Sequence, residues 1–413
     1  MFKKIPGTKD ILPAEAAIWQ EIEKISRGIF ALYNYQEIRP PLVEEAKLFD
    51  RSLGASAEIV QKQMFLIKNN EDLYALRPEG TASVVRSYIE NNLDKTSGFL
   101  KVYYIGPMFR LERPQKGRFR QFHHVGCEVL GSQDACLDVE VISLAKELLD
   151  SLSVSGYKIK INSLGCSKDK EKLNKSLKDA LKDKADKLCE DCQNRLKTNV
   201  LRILDCKNES CKRIVDTLGL EDKHLCPDCL EHFKTVLSGL DLLSIPYEVS
   251  YSLVRGLDYY NRTVFEITHQ NLGSQDAIGA GGRYNNLVKE LGGPDLGGIG
   301  FAFGIERLLL VSKLTEEKKN EPKLIFLITL GKAAKTRGIS ILADLRKKGV
   351  FSDTDYEDKS LKGCMRKAND LNARMVLILG EDELKNNSIT IKDMVSGEQK
   401  QVNILDLEKE IKC

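Results

Sequence analysis

Residues 109–124 read FRLERPQKGRFRQFHH, four arginines and one lysine with phenylalanines at 109, 119 and 122 set among them. Forked guanidiniums match phosphate oxygens, and several that converge imply a polyphosphate. A phenylalanine on a neighbouring strand can stack on a base face, and Glu112 can accept from an exocyclic amine. These residue types suggest a nucleoside triphosphate laid on an antiparallel sheet. The plainer alternative is a surface hairpin with scattered charge. Arg255 and Arg307 stand in strand-rich or glycine-rich contexts where a solvated arginine is not expected. Singly, each of the three, Arg110 included, reads as a structural ion pair; together they weaken that reading. The chain has no GxxxxGK[ST] loop and no GxGxxG in a βαβ setting. Phosphates would therefore be held by side chains, not by a P-loop or a dinucleotide fold.

A second constellation is made of sulfur. LCEDCQ, DCKNESC and LCPDC place six of the eleven cysteines within residues 167–235. The pairs Cys189/Cys192 and Cys226/Cys229, separated by 33 residues, fit a tetrathiolate zinc site, with Cys206 and Cys211 as spare candidates. A small lysine-rich insert with few large apolar residues would gain folding energy from such a structural metal. The competing reading is ordinary buried or free thiols.

The elements that must position these residues follow from periodicity. Ile18, Ile22, Ile25 and Ile29 fall on one face of a helix over 14–33, and a short strand from Gln36 to Arg39 runs into Pro40 and Pro41. QMFLI (63–67) and LYAL (73–76) are β-like, and 82–91 and 137–151 read as helices. KVYYIGPMFR (101–110) and RQFHHVGCEVL (120–130) form a hairpin across the polar turn ERPQKG. GGIGFAFGIERLLL reads as a glycine-rich strand entering a helix. TEEKKNEP (315–322) is a charged linker. Beyond it, KLIFLITL, a helix over 332–347, a helix over 360–372, RMVLILG and SITIK alternate as a separate α/β domain.

The chain has 413 residues, 42 % hydrophobic and 30 % charged, an ordinary soluble composition that suggests two or three domains. Its net charge is only +3, so any nucleic-acid surface must be local. No run of about 18 apolar residues suggests a membrane span. The start MFKKIPGTKDILP lacks an apolar signal core, and the cysteine usage without an export signal points to the cytoplasm.

The motifs together resemble histidyl-tRNA synthetase, a class II aminoacyl-tRNA synthetase family, along nearly the whole chain. PGTKDILP is similar to the family's N-terminal signature. YQEIRPPLVE resembles the class's first motif with its proline at Pro41, FRLERPQKGRFRQF the second, and GIGFAFGIERLLL the third. RPEGTA, RGLDYYNRTVFE and AGGRYNNLV resemble segments peculiar to the histidine-specific enzyme. The resemblance implies an α+β catalytic domain with a six- or seven-stranded antiparallel sheet flanked by helices, a helical insertion and a C-terminal α/β anticodon-binding domain. The corresponding divisions are 1–166, 167–235, 236–316 and 323–413. It implies ATP with Mg²⁺, histidine, tRNA(His) and a homodimer built on the first motif.

It further implies that Arg110 holds the α-phosphate, Arg307 the γ-phosphate and Arg255 the α-phosphate from the opposite side, while Phe122 stacks on adenine beside Glu112. Glu79 and Thr81 would accept the substrate ammonium, and Glu128, Tyr260 and Tyr284 would meet the imidazole. Arg110 and Arg255 would complete that site. Where the family usually has glutamine, beside the amino group, this chain has His124; a neutral histidine could still hydrogen-bond there, but a charged one would repel an ammonium ion. Arg113 and Gln115 resemble positions that meet the tRNA acceptor end, and the lysine run at 168–187 could hold the acceptor arm through phosphates. Two rival readings stay open: a non-catalytic histidine-binding regulatory relative, and a tRNA-binding module.

Overall fold

The computed structural model describes residues 2–411 apart from 55–56, 97, 116, 274–275 and 315–323. The chain divides into two compact units, Met1–Thr315 and Glu316–Cys413. The charged linker expected at 315–322 lies outside the described residues.

The first unit is organised by an eight-stranded sheet. Its order is Gln36–Glu37, Leu100–Phe109, Gln121–Leu130, Gly298–Gly304, Ala277–Arg283, Asn261–His269, Tyr157–Ser163, Glu248–Val249. The six long strands are antiparallel neighbours, as expected. The two outermost, each two residues long, pair in parallel, which makes the sheet mixed and wider than anticipated.

Alternation along each strand decides what faces where. On Gln121–Leu130, Val125, Cys127 and Val129 enter the large core together with Ile299, Phe301 and Phe303 of the neighbouring strand. That core also takes Trp19, Ile22 and Phe30 from helix Pro13–Leu32 and Val141, Leu144 and Leu148 from helix Ala135–Ser151. Phe122, His124, Gly126 and Glu128 are the alternate positions. Opposite them, Gly300 pairs with Glu128 and Gly304 with His124. A Cβ on Gly300 would stand 2.0 Å from the Glu128 carboxylate, so glycine there is a condition of the close approach.

A three-stranded sheet, Val43–Glu45, Asp72–Leu76 and Phe65–Asn69, stands apart from the main one. It leads through RPEGTA into helix Thr81–Glu90. The lysine-rich stretch folds as helices Ser167–Leu181, Glu190–Thr198, Glu209–Asp216 and Pro227–Leu242. The last of these spans residue 235 and buries Phe233, Val236 and Leu240 in the main core.

The second unit has a five-stranded sheet in the order Ser352–Thr354, Ile325–Thr329, Met375–Leu379, Ser388–Asp393, Gln399–Asn403. The first three are parallel and the last two add antiparallel. Alternate residues of Ile325–Thr329 enter two separate clusters, Leu327 on one face and Phe326 and Ile328 on the other. A strand buried on both faces reads as a continuous apolar run, and KLIFLITL does. Ser352–Thr354 and Gln399–Asn403 went unread because neither is apolar.

Candidate active site

A cavity of about 340 Å³ opens on the face of the large sheet that carries Phe122 and His124. Arg110, Arg255 and Arg307, 145 and 52 residues apart in sequence, all line it. Each is held from behind. The Arg110 Nε donates to the Pro78 carbonyl at 2.9 Å, and the guanidinium lies 5.4 Å from the centre of the Phe122 ring. Arg307 donates to the carbonyls of Gly117, at 3.3 Å, and Ala277. Arg255 pairs with Glu266, and its buried Nε has no hydrogen-bond partner among the described residues. Glu112 also lines the cavity and pairs with Arg118 at 3.2 Å. Burial lowers the pKa of both Arg110 and Arg307. Several cations beside an aromatic ring suit a polyanion attached to a flat ring.

The adjoining wall is polar and buried. Glu79 accepts from the backbone N–H of Thr81 at 2.6 Å and of Ala82 at 2.9 Å, so it also caps helix Thr81–Glu90. The Thr81 hydroxyl donates to Glu128 at 2.7 Å, and the Tyr284 hydroxyl donates to the other Glu128 oxygen at 2.5 Å. Glu128 is 1 % exposed, and burial pushes its carboxyl up to about 8 against these bonds. Glu79, Thr81, His124 and Tyr260 line the cavity; Glu128 and Tyr284 stand just behind it. Tyr260 is 8 % exposed and pushed by burial up to about 12. Arg113 and Gln115 lie exposed on the hairpin turn, away from the cavity walls.

His124 is neutral at physiological pH. Burial, and after it the charges of Arg110 and Arg77, push its imidazole down to about 3. The objection that a charged histidine would repel a cationic group is thereby removed. Its neighbour His123 points to the other face, bonded to Glu306 at 3.0 Å and edge-on to Trp19. Because the folded pKa of His124 lies below the ordinary 6.5, its contribution to stability is whole above pH 6.5 and declines as pH falls toward 3. His124→Gln should therefore lose up to about 2 kcal/mol less stability than the parent between pH 8 and pH 5. Urea titrations at both pH values check this; parallel losses in the two proteins would refute it.

Sequence reasoning missed Arg118, Glu266, Tyr104 and Tyr259, which also line the cavity. Glu266 had a signal: it is a lone carboxylate within the apolar strand TVFEIT. Tyr104 had none, although in the fold Gly80 and Gly126 both make room for its ring. Arg202, Asp205 and Lys207 of the helical stretch reach the same cavity and had none.

The expected four-sulfur set needs correction. Cys189 and Cys192 gather with Cys206 and Cys211, whereas Cys226 and Cys229 gather with Cys166 and Asp169. The two CxxC pairs head different helices, Glu190–Thr198 and Pro227–Leu242, and the chain brings those helix starts to different partners.

Comparison with known proteins agrees with this geometry. A family model described as Histidyl-tRNA synthetase matches residues 7–308, and one described as Anticodon binding domain matches 325–413. The histidine–tRNA ligase of Natranaerobius thermophilus is 44 % identical over 100 % of this chain and 99 % of that protein. That of Desulforamulus reducens is 43 % identical over 98 % of each. The crystal structure of apo S. aureus histidyl-tRNA synthetase superposes with a TM-score of 0.82 at 35 % identity, covering 100 % of both chains. With the sheet, the arginine-lined cavity and these full-length likenesses in agreement, the chain belongs to the histidyl-tRNA synthetase family.

Proposed function

We infer that this protein attaches histidine to the 3′ end of its cognate tRNA, in two steps driven by ATP. The observation that carries this is the convergence of Arg110, Arg255 and Arg307 on one cavity whose other wall is the buried Glu79–Thr81–Glu128 network. In the first step the histidine carboxylate attacks the α-phosphorus and pyrophosphate leaves. Negative charge grows on the phosphoryl oxygens, and cations already fixed around them stabilise it without reorganising. Arg110 and Arg255 serve the α-phosphate from two sides and Arg307 the γ-phosphate; Phe122 stacks on adenine, with Glu112 near its amine. Glu266 is a hard oxygen donor on the cavity wall that would fit Mg²⁺, an ion that would neutralise phosphate charge.

Glu79, Thr81 and the neutral His124 take the substrate ammonium. Glu128, Tyr284 and Tyr260 take the imidazole. A site that bonds both ring nitrogens rejects apolar side chains because its own buried polar groups would go unpaired. In the second step a hydroxyl of the terminal ribose attacks the histidyl-adenylate carbonyl, the acyl–phosphate bond breaks and AMP leaves, with Arg113 and Gln115 at the acceptor end and the second unit reading the anticodon. The protein works as a cytoplasmic homodimer joined through the segment around Pro41; no helix among the described residues is long and apolar enough to cross a membrane.

The regulatory and tRNA-binding alternatives are less supported. Neither requires three cavity-lining arginines together with an anticodon-binding unit. ATP–pyrophosphate exchange, measured with each amino acid in turn, tests the reading. Exchange that depends on histidine alone is expected. No exchange with any amino acid, in folded protein, would instead favour the regulatory alternative.

A further inference from the structure

We propose that Cys189, Cys192, Cys206 and Cys211 form a tetrathiolate zinc site that fixes one wall of the active cavity. All four sulfurs lie within 4.8 Å of one another, and three of the four residues are buried. A tetrahedral site with Zn–S bonds of about 2.3 Å has sulfur–sulfur edges of about 3.8 Å. The Cys189 and Cys206 sulfurs are 3.8 Å apart.

Three of the four cysteines sit at helix starts. Cys189 is the residue before helix Glu190–Thr198 and Cys192 lies in its first turn; Cys211 lies in the first turn of Glu209–Asp216. Outer-shell donors of the kind that tune metal thiolates are in place. The backbone N–H of Cys189 donates to the Cys211 sulfur at 3.2 Å, and Arg195 donates to the Cys192 sulfur at 3.9 Å.

The second cluster differs. The Asp169 oxygens accept from the backbone N–H groups of Cys166, at 3.2 Å, and Cys226, at 3.0 Å. Its place in the fold is thus explained as a joint cap of two helices, without a metal.

The proposed metal would act on the cavity through the segment it closes. Between Cys192 and Cys206 the chain runs along the cavity edge. There Arg202 donates to the Gly256 carbonyl at 2.8 Å, and the Asn199 amide donates to Asp258 at 3.2 Å. Gly256 directly follows Arg255. Asp205 and Lys207, on either side of Cys206, line the cavity themselves. Zinc would therefore brace the loop that presents Arg255. This part rests on the synthetase reading, whereas metal content does not.

Metal analysis of the full-length protein, purified from zinc-supplemented culture and dialysed, tests the site. Zinc is expected, with one equivalent lost in Cys192→Ser/Cys211→Ser and that equivalent kept in Cys226→Ser/Cys229→Ser. Cobalt(II) reconstitution of the wild-type protein should give the intense thiolate charge-transfer absorption of a tetrahedral sulfur site. Absence of zinc from the folded wild-type protein would overturn the proposal. So would a Cys192→Ser/Cys211→Ser protein that retains the full zinc content. Neither outcome bears on histidine-dependent exchange, so failure of the metal site and failure of the synthetase reading remain distinguishable.

Discussion

Arg255→Ala should lower kcat for histidine-dependent ATP–pyrophosphate exchange by about 10²–10³-fold, with smaller changes in KM for ATP and histidine. Arg255 stands outside the regular strands, in the segment after Val254, and reaches the cavity while paired with Glu266. Its buried Nε has no partner among the described residues. A buried N–H without a partner is costly, and an incoming phosphoryl oxygen would relieve that cost. Removing the guanidinium also leaves the Glu266 carboxylate facing the anionic substrate, which adds repulsion as charge builds. Arg255→Lys separates the two effects: it keeps one positive charge but not the planar fork, so an intermediate rate is expected. Steady-state exchange and single-turnover adenylate formation give the numbers. An unchanged kcat with a raised KM would assign Arg255 to ground-state binding instead.

The largest stability loss is expected at Arg283→Ala, about 3–5 kcal/mol by urea denaturation. Arg283 lies in AGGRYNNLV and is fully buried. Its Nε donates to Asp138 at 2.7 Å and its Nη1 to the Ser132 carbonyl at 2.9 Å and the Asn285 side chain at 3.2 Å; Nη2 reaches Asp138 at 2.6 Å and also the Asp134 carbonyl. The start of helix Ala135–Ser151 is thereby tied to strand Ala277–Arg283. Alanine would leave a buried carboxylate and several carbonyls without donors, in a cavity too enclosed for easy repair. Arg283→Met/Asp138→Leu removes both charges, and its loss should be well below the sum of the two single losses. A loss under about 1 kcal/mol for Arg283→Ala would show that the pair contributes little beyond its own desolvation. Tyr284, the next residue, bonds Glu128, so a weaker strut should also raise KM for histidine.

These two arginines show where reading along the chain stops. The motif AGGRY marks Arg283 no less than RGLDYY marks Arg255. Yet one guanidinium is spent inside the fold and the other reaches the cavity. Arg77 in RPEGTA is a third case, buried and bonded to the carbonyls of Pro40 and Pro107. What was legible was local. Four isoleucines at helical spacing, the hairpin around ERPQKG, the glycines alternating in GGIGFAFG and the apolar run KLIFLITL each carry their geometry in a period of 3.6 or 2. Side chains that share a face can be found from that period alone.

Choice of partner has no such period. Whether Cys189 and Cys192 meet Cys226 and Cys229 or meet Cys206 and Cys211 depends on which helix starts the chain folds together, and spacing is silent on that. The neutrality of His124 likewise depends on burial and on two arginine charges, Arg110 of the same hairpin and Arg77, 47 residues earlier in the chain, that meet it only in the folded site. Desolvation and long-range charge are properties of the assembled interior. The residue types and elements of the site were therefore readable from the chain, while its charge states and the identity of each partner came with the tertiary fold.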